Sequence, residues 1–133
     1  MKHVLVIDDD ADVLELLAEL LQETYRVTTA LSAEAALSAL IDGSCTDCIV
    51  LDLMMPAMSG EEFAQELAHR GVAVPFVVVS GRQNTARVAA QIGACGFLVK
   101  PFTSKQLIDA IEHAIVSSPE SGASPAGPAA FSS

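Results

Sequence analysis

Four short apolar runs in this chain each end in a polar residue able to do chemistry. Val4 to Ile7 runs into Asp8-Asp9-Asp10, Cys48 to Leu51 into Asp52, Phe76 to Val79 into Ser80, and Phe97 to Val99 into Lys100-Pro101. Brought together, these ends would place three carboxylates, a hydroxyl and an ammonium at one spot. Carboxylates at close range repel; a pair ~4 Å apart costs about 4 kcal/mol at an effective dielectric near 20. Such a cluster calls for a cation, and carboxylates with carbonyls and waters are the ligand set of Mg²⁺. With the charge neutralised, Asp52 can attack a phosphoryl group and form an acyl phosphate. Lys100 offers a second positive charge and Ser80 a hydroxyl for the phosphoryl oxygens, which suits a transfer that depends on positioning and neutralisation.

The elements that would position these residues alternate. Runs rich in Val and Ile, without polar interruption, suit strands buried on both faces of a parallel sheet. Parallel strands end on the same edge, where open α/β sheets bind ligands. Five strands are expected near Lys2–Ile7, Tyr25–Thr29, Asp47–Leu51, Val74–Val79 and Cys95–Val99. Five helices are expected near Ala11–Glu23, Ser32–Ile41, Gly60–His69, Thr85–Ile92 and Thr103–Val116. Strand–helix alternation implies right-handed crossovers and helices on both sheet faces. In the first helix Leu14, Leu17 and Leu21 form one stripe, with Leu16 and Leu20 beside it, while Glu15, Glu19 and Glu23 form a stripe for solvent. Ser32 and Thr103 read as N-caps, Asp10 as a cap or first-turn acid, and Gly43 and Gly71 stand where helices should stop.

Composition narrows the function classes. The chain of 133 residues is 51% hydrophobic and 5% aromatic, enough for one domain with a real core. Its net charge of −10 argues against direct nucleic-acid contact and against an anionic membrane surface. No signal peptide is visible, and no apolar stretch approaches the ~18 residues of a membrane span, so a cytoplasmic protein is expected. Cys45, Cys48 and Cys95 read as free thiols of a reducing compartment. Cys45-Thr46-Asp47-Cys48 precedes a strand rather than opening a helix, which argues against a thioredoxin-like redox site. Met54, Met55 and Met58 read as loop packing. His3, His69 and His113 lack metal-ligand spacing. From Ser117 the chain turns to Ser, Pro, Ala and Gly, so 1–116 reads as the folded domain and 117–133 as a disordered tail or linker with a reach of roughly 20–25 Å.

Four motifs in order give the chain a family resemblance: Asp8-Asp9, the segment Asp52-x-x-Met55-Pro56-x-Met58-x-Gly60, Ser80-Gly81, and Lys100-Pro101-Phe102. It resembles the receiver domain of bacterial two-component response regulators over roughly Lys2 to Val116. The resemblance implies a flavodoxin-like, doubly wound α/β fold with five helices and a five-stranded parallel sheet in the order 2-1-3-4-5. It implies Asp52 as phosphoacceptor and Mg²⁺ held by Asp8, Asp9, Asp52 and the Met54 backbone carbonyl. Lys100, joined to Pro101 by a cis bond, would bridge to the phosphoryl group; Ser80 would be the hydroxyl switch and Phe97 the aromatic switch. The implied donor is a sensor histidine kinase or a histidine phosphotransfer protein. A homodimer through helix 4, strand 5 and helix 5 is the implied assembly, and no separate substrate is turned over. Phe97 alternatively reads as core.

Three departures from the family pattern stand out. Ser59 occupies a position where Asp or Asn is common, the stretch from Ser80 to Lys100 is about two residues shorter than in many members, and Phe97 lacks a tyrosine hydroxyl. The competing reading is a Mg²⁺-dependent aspartyl-phosphate phosphatase of the haloacid dehalogenase type. Such enzymes carry a second aspartate two residues after the nucleophile, where this chain has Met54. A flavin-binding flavodoxin fits poorly, because no Ser/Thr/Gly-rich phosphate loop follows the first strand.

Overall fold

The computed structural model describes residues 1–41, 46–53, 58–81 and 83–117. Ten elements alternate: β1 (His3–Ile7), α1 (Ala11–Leu21), β2 (Arg26–Ala30), α2 (Ala33–Ile41), β3 (Cys48–Asp52), α3 (Gly60–His69), β4 (Phe76–Ser80), α4 (Thr85–Ile92), β5 (Gly96–Val99) and α5 (Ser104–Val116). All strands are parallel, and the sheet order is β2-β1-β3-β4-β5. This is the expected doubly wound arrangement.

Side-chain alternation along the central strands supplies two cores. Leu5, Ile7, Ile49, Leu51 and Val78 face one side and pack with Ala36 and Leu37 of α2, Phe63 and Leu67 of α3 and Val88 of α4. Val4, Val6, Val50, Val77 and Val79 face the other and pack with Leu14, Leu17 and Leu21 of α1 and Leu107 and Ile111 of α5. β1, β3 and β4 are buried at every position. The fourth apolar run behaves differently: β5 alternates between half-buried and exposed, with Phe97 36% and Val99 44% exposed. The expectation of burial on both faces therefore fails at β5, because it is an edge strand whose outer side meets no further strand.

Local signals explain the element ends. Asp10 caps α1 by accepting from the backbone N–H groups of Asp12 and Val13. Ser59 caps α3 and Thr103 caps α5, each in a reciprocal capping box, with Glu62 and Gln106 as the returning side chains. Ala35 N–H donates to Ser32 Oγ at the start of α2. Each such cap is worth about 1 kcal/mol. Gly71 and Gly93 take positive φ just beyond α3 and α4, a conformation that only glycine adopts without a steric penalty. The Gly43 stop lies outside the described residues.

At the sheet edge opposite the candidate site, His3 ties β1 to both neighbours. Its backbone N–H donates to Asp47 Oδ2 at 2.8 Å, and its ring nitrogens lie 2.7 Å from Thr28 Oγ1 and 3.4 Å from Thr46 Oγ1. Cys48 is buried and Cys95 half-buried, both as free thiols. Burial pushes the Cys48 thiol up to about 12 and raises that of Cys95, so neither is a ready nucleophile at neutral pH. Cys45 lies outside the described residues. No helix among the described residues is long and apolar enough to cross a membrane.

Candidate functional site

Register delivers the site. Ile7 pairs with Leu51, Asp52 with Val79, and Ser80 with Val99. Asp8, Asp52, Ser80 and Lys100 therefore lie at, or one residue beyond, the ends of adjacent parallel strands. Backbone hydrogen bonds extend the ladders to that edge: Asp8 N–H donates to the Ala30 carbonyl, Leu53 N–H to the Val79 carbonyl and Lys100 N–H to the Ser80 carbonyl. The Lys100–Pro101 peptide is cis, as the resemblance implied.

Asp8, Asp9 and Asp52 offer carboxylate oxygens that all lie within 4.8 Å of one another. Asp8 is 2% and Asp52 3% exposed, whereas Asp9 is open to solvent. Lys100 Nζ lies 3.9 Å from Asp8 Oδ2 and 3.9 Å from Asp52 Oδ2, near enough to pair electrostatically but beyond hydrogen-bond reach. Asp8 Oδ1 accepts from the Asp10 N–H at 3.0 Å. Asp8 Oδ2 is buried without a hydrogen-bond partner. Burial drives the Asp8 carboxyl up to about 6; the Asp52 charge adds to the rise, while the Asp10 N–H and Lys100 oppose it. Ser80 is fully buried at the end of β4.

These residues fit a hard divalent cation. The donors are carboxylate oxygens, one of them buried and unsatisfied, and two of the three carboxylates are largely desolvated. The cluster could hold a metal. The Met54 carbonyl lies outside the described residues, as do Met55 and Pro56. Phe97 stands on β5, in neither core cluster and partly exposed.

Sequence reasoning placed Gly60 in a motif without giving it a task. A Cβ at that position would lie 2.6 Å from Leu53 Cδ2, 2.9 Å from Leu53 Cα and 3.3 Å from the Asp52 carbonyl. The start of α3 thus packs directly on the backbone that carries Asp52, and Gly60 N–H donates to the Leu53 carbonyl at 3.2 Å. Gly60→Ala should cost about 2 kcal/mol, read as a lower denaturant midpoint at unchanged slope, because a backbone atom cannot yield as a side chain would. Ser59, the departure from the family pattern, retains the capping task that Asp or Asn could also perform.

A doubly wound parallel sheet with Asp8, Asp52, Ser80 and Lys100 at the carboxyl ends of its strands defines a class of α/β domains that carry their site on that edge. Residues 4–112 match the response regulator receiver domain family, and the chain belongs to that family. It is similar to the response regulator SaeR of Staphylococcus aureus, with 30% identity over 111 residues that make up 81% of this chain and 48% of that protein. The chain thus spans about half the length of the curated relatives it matches. Among solved structures it is similar to a response regulator receiver domain of Clostridium thermocellum, with a TM-score of 0.80 and 28% identity over 87% of this chain and 95% of that one. It is also similar to the chemotaxis response regulator CheY4 of Vibrio cholerae, with a TM-score of 0.76 and 28% identity over 86% of this chain and 98% of that one. The phosphatase alternative gains no support from these matches.

Proposed function

We propose that this receiver domain is a phosphorylation-controlled switch in which Asp52 accepts a phosphoryl group from a sensor histidine kinase or a histidine phosphotransfer protein. The observation that carries this reading is the enclosure of Asp52 between the Asp8 carboxylate and the Lys100 ammonium, with Asp9 beside them. In the transfer, the P–N bond of the donor phosphohistidine breaks and a P–O bond to an Asp52 carboxylate oxygen forms. Mg²⁺, held by Asp8, Asp9, Asp52 and the Met54 carbonyl, would neutralise the pocket and bind a phosphoryl oxygen. Lys100 pairs with the incoming negative charge, and the Ser80 hydroxyl donates to a phosphoryl oxygen.

The switch follows from those new contacts. Moving a two-state equilibrium from 1:99 to 99:1 takes about 5.5 kcal/mol of differential interaction. Ser80 on β4 and Lys100 after β5 link the phosphoryl group to the α4–β5–α5 face, where Phe97 and Val99 are partly exposed. Phe97 changes its packing by rotation, without a hydroxyl to anchor it. That face is the surface for a homodimer or an output partner, and residues 117–133 serve as tail or linker. Sedimentation velocity of the phosphorylated chain should show a dimer that Phe97→Asp reduces to monomer; a persistent monomer in the parent chain would remove the dimer from the reading. The domain works in the cytoplasm and turns over no separate substrate.

Incubation with acetyl phosphate and Mg²⁺, followed by intact-mass measurement, tests the proposal. One phosphoryl adduct that hydroxylamine cleaves is expected, since an acyl phosphate is open to nucleophilic attack. Steady release of phosphate from an added phosphomonoester, with no adduct retained, would favour the phosphatase alternative instead.

A further inference from the structure

A cleft of about 310 Å³ lies between α1 and the end of β2, lined by Ala11, Leu14, Glu15, Ala18, Thr29 and Leu31. Ala11, Leu14, Glu15 and Ala18 fall on one helical stripe, at spacings of three and four. The two alanines leave room that larger side chains would fill. Leu31, just after β2, is 54% exposed, a large apolar side chain turned partly to water. Glu15 and Thr29 are exposed as well and supply the polar rim. Ligand cavities run from roughly 300 Å³ upward. This one is at the small end of that range and suits a single aromatic side chain.

We infer that this cleft takes the ring of Phe131, so that residues 118–133 strap the chain's own α1. Phe131 is the one large apolar residue beyond Val116, in a stretch of Ser, Pro, Ala and Gly. α1 and α5 pack on the same face of the sheet. Each follows a parallel strand, so both end at the edge opposite the acidic pocket. From the end of α5 the cleft is about one α1 length along, roughly 16 Å, and one helix diameter across, roughly 10 Å. As a flexible chain, the stretch from Ser117 to Phe131 spans roughly 20 Å. A tether matched to its separation gives the highest effective concentration, on the order of millimolar, and burial of one ring then suffices for docking.

Charge selects among occupants. The chain carries −10, and Asp12, Glu15 and Glu19 stand exposed on α1. A second copy or an acidic partner brings like charge to that flank, whereas Ser121 to Phe131 carries no charged residue. The cleft begins two residues after Asp9, and Leu31 follows Ala30, whose carbonyl accepts from the Asp8 N–H at 3.1 Å. The strap therefore lies beside the acidic pocket, and a protein that reaches the pocket over that flank must displace it. The docking needs neither a metal nor a phosphoryl group, so it stands apart from the proposed function.

The test is amide and methyl NMR of the full chain, for the parent, Phe131→Ser and Ala18→Gln. Phe131→Ser should shift the amide signals of Ala11, Glu15, Ala18, Thr29 and Leu31, all far from it in sequence, and leave those of α4 and α5 in place. The parent should show nuclear Overhauser contacts from the Phe131 ring to the methyl groups of Ala18 and Leu31. Ala18 is half-buried, and Ala18→Gln should fill the cleft, remove the Leu31 contact and return the Phe131 signals to random-coil positions. Coincident parent and Phe131→Ser spectra at the cleft residues would overturn the docking, whatever the fate of Ala18→Gln. Contacts that fade on dilution would assign the ring to the cleft of a second copy and overturn the strap. Shifts confined to another surface would overturn the cleft as the seat of Phe131.

Discussion

Asp52→Asn should abolish the phosphoryl adduct formed from acetyl phosphate and Mg²⁺. Asparagine matches aspartate in shape but carries no anionic oxygen to attack phosphorus. The loss should not come from unfolding. Asp52 is buried beside Asp8, so neutralising it relieves repulsion, and the metal-free variant should melt at or above the parent temperature. Intact mass and a thermal melt on the same sample separate the two causes. An adduct of undiminished yield in Asp52→Asn would move the chemistry to another carboxylate, with Asp8 and Asp9 the nearest.

Asp8→Asn should stabilise the metal-free chain by up to about 3 kcal/mol above neutral pH and hardly at all near pH 4. The Asp8 carboxyl titrates near 3.8 in an unstructured chain and near 6 in the fold, and each pH unit of difference is worth about 1.4 kcal/mol. A carboxyl raised in the folded state gives its proton-linked stability in full below the unfolded value and loses it as pH rises through the folded one. Above that range the fold must hold a buried, ionised carboxylate with one oxygen that accepts no hydrogen bond. Asparagine carries no such charge, so the difference between the two chains should open between about pH 4 and pH 7 and then level off. Denaturant unfolding across that range measures it. Mg²⁺ should narrow the difference at high pH, because the ionised Asp8 then has a partner. A difference that stays flat with pH would show that Asp8 is not the buried, proton-linked group of this pocket.

The two predictions pull in one direction. The pocket is costly to the fold because it gathers negative charge away from water, and that same charge density suits it to a cation. Lys100 offsets part of the cost. Gly60 keeps α3 close to the backbone on which Asp52 stands. A site destabilised in this way illustrates how function can oppose stability within one set of residues.

The order and type of all ten elements were legible in the chain, because apolar runs and helical stripes are local signals that caps and glycines punctuate. Their bounds agree with the sequence reading to within a residue or two. The fold class and the convergence of Asp8, Asp52, Ser80 and Lys100 followed from parallel strands sharing one edge. Tertiary contacts decided the rest. Leu14, Leu17 and Leu21 are buried while Leu16 and Leu20 of the same helix stay exposed, since only packing against the sheet selects one stripe from a wide apolar band. β5 reads like β4 in composition yet is half open, because being an edge strand depends on strand order rather than on residue type. His3 read as an isolated histidine and joins three strands through Asp47, Thr28 and Thr46, partners far away in sequence.

Residue types and spacing by themselves determined which groups would gather at the sheet edge. Only the folded chain decided how the burden is divided among them: Asp8 and Asp52 buried, Asp9 open, and Lys100 suspended between the two buried carboxylates. Burial and charge pairing are sums over neighbours from separate strands, and no local stretch of sequence contains that sum.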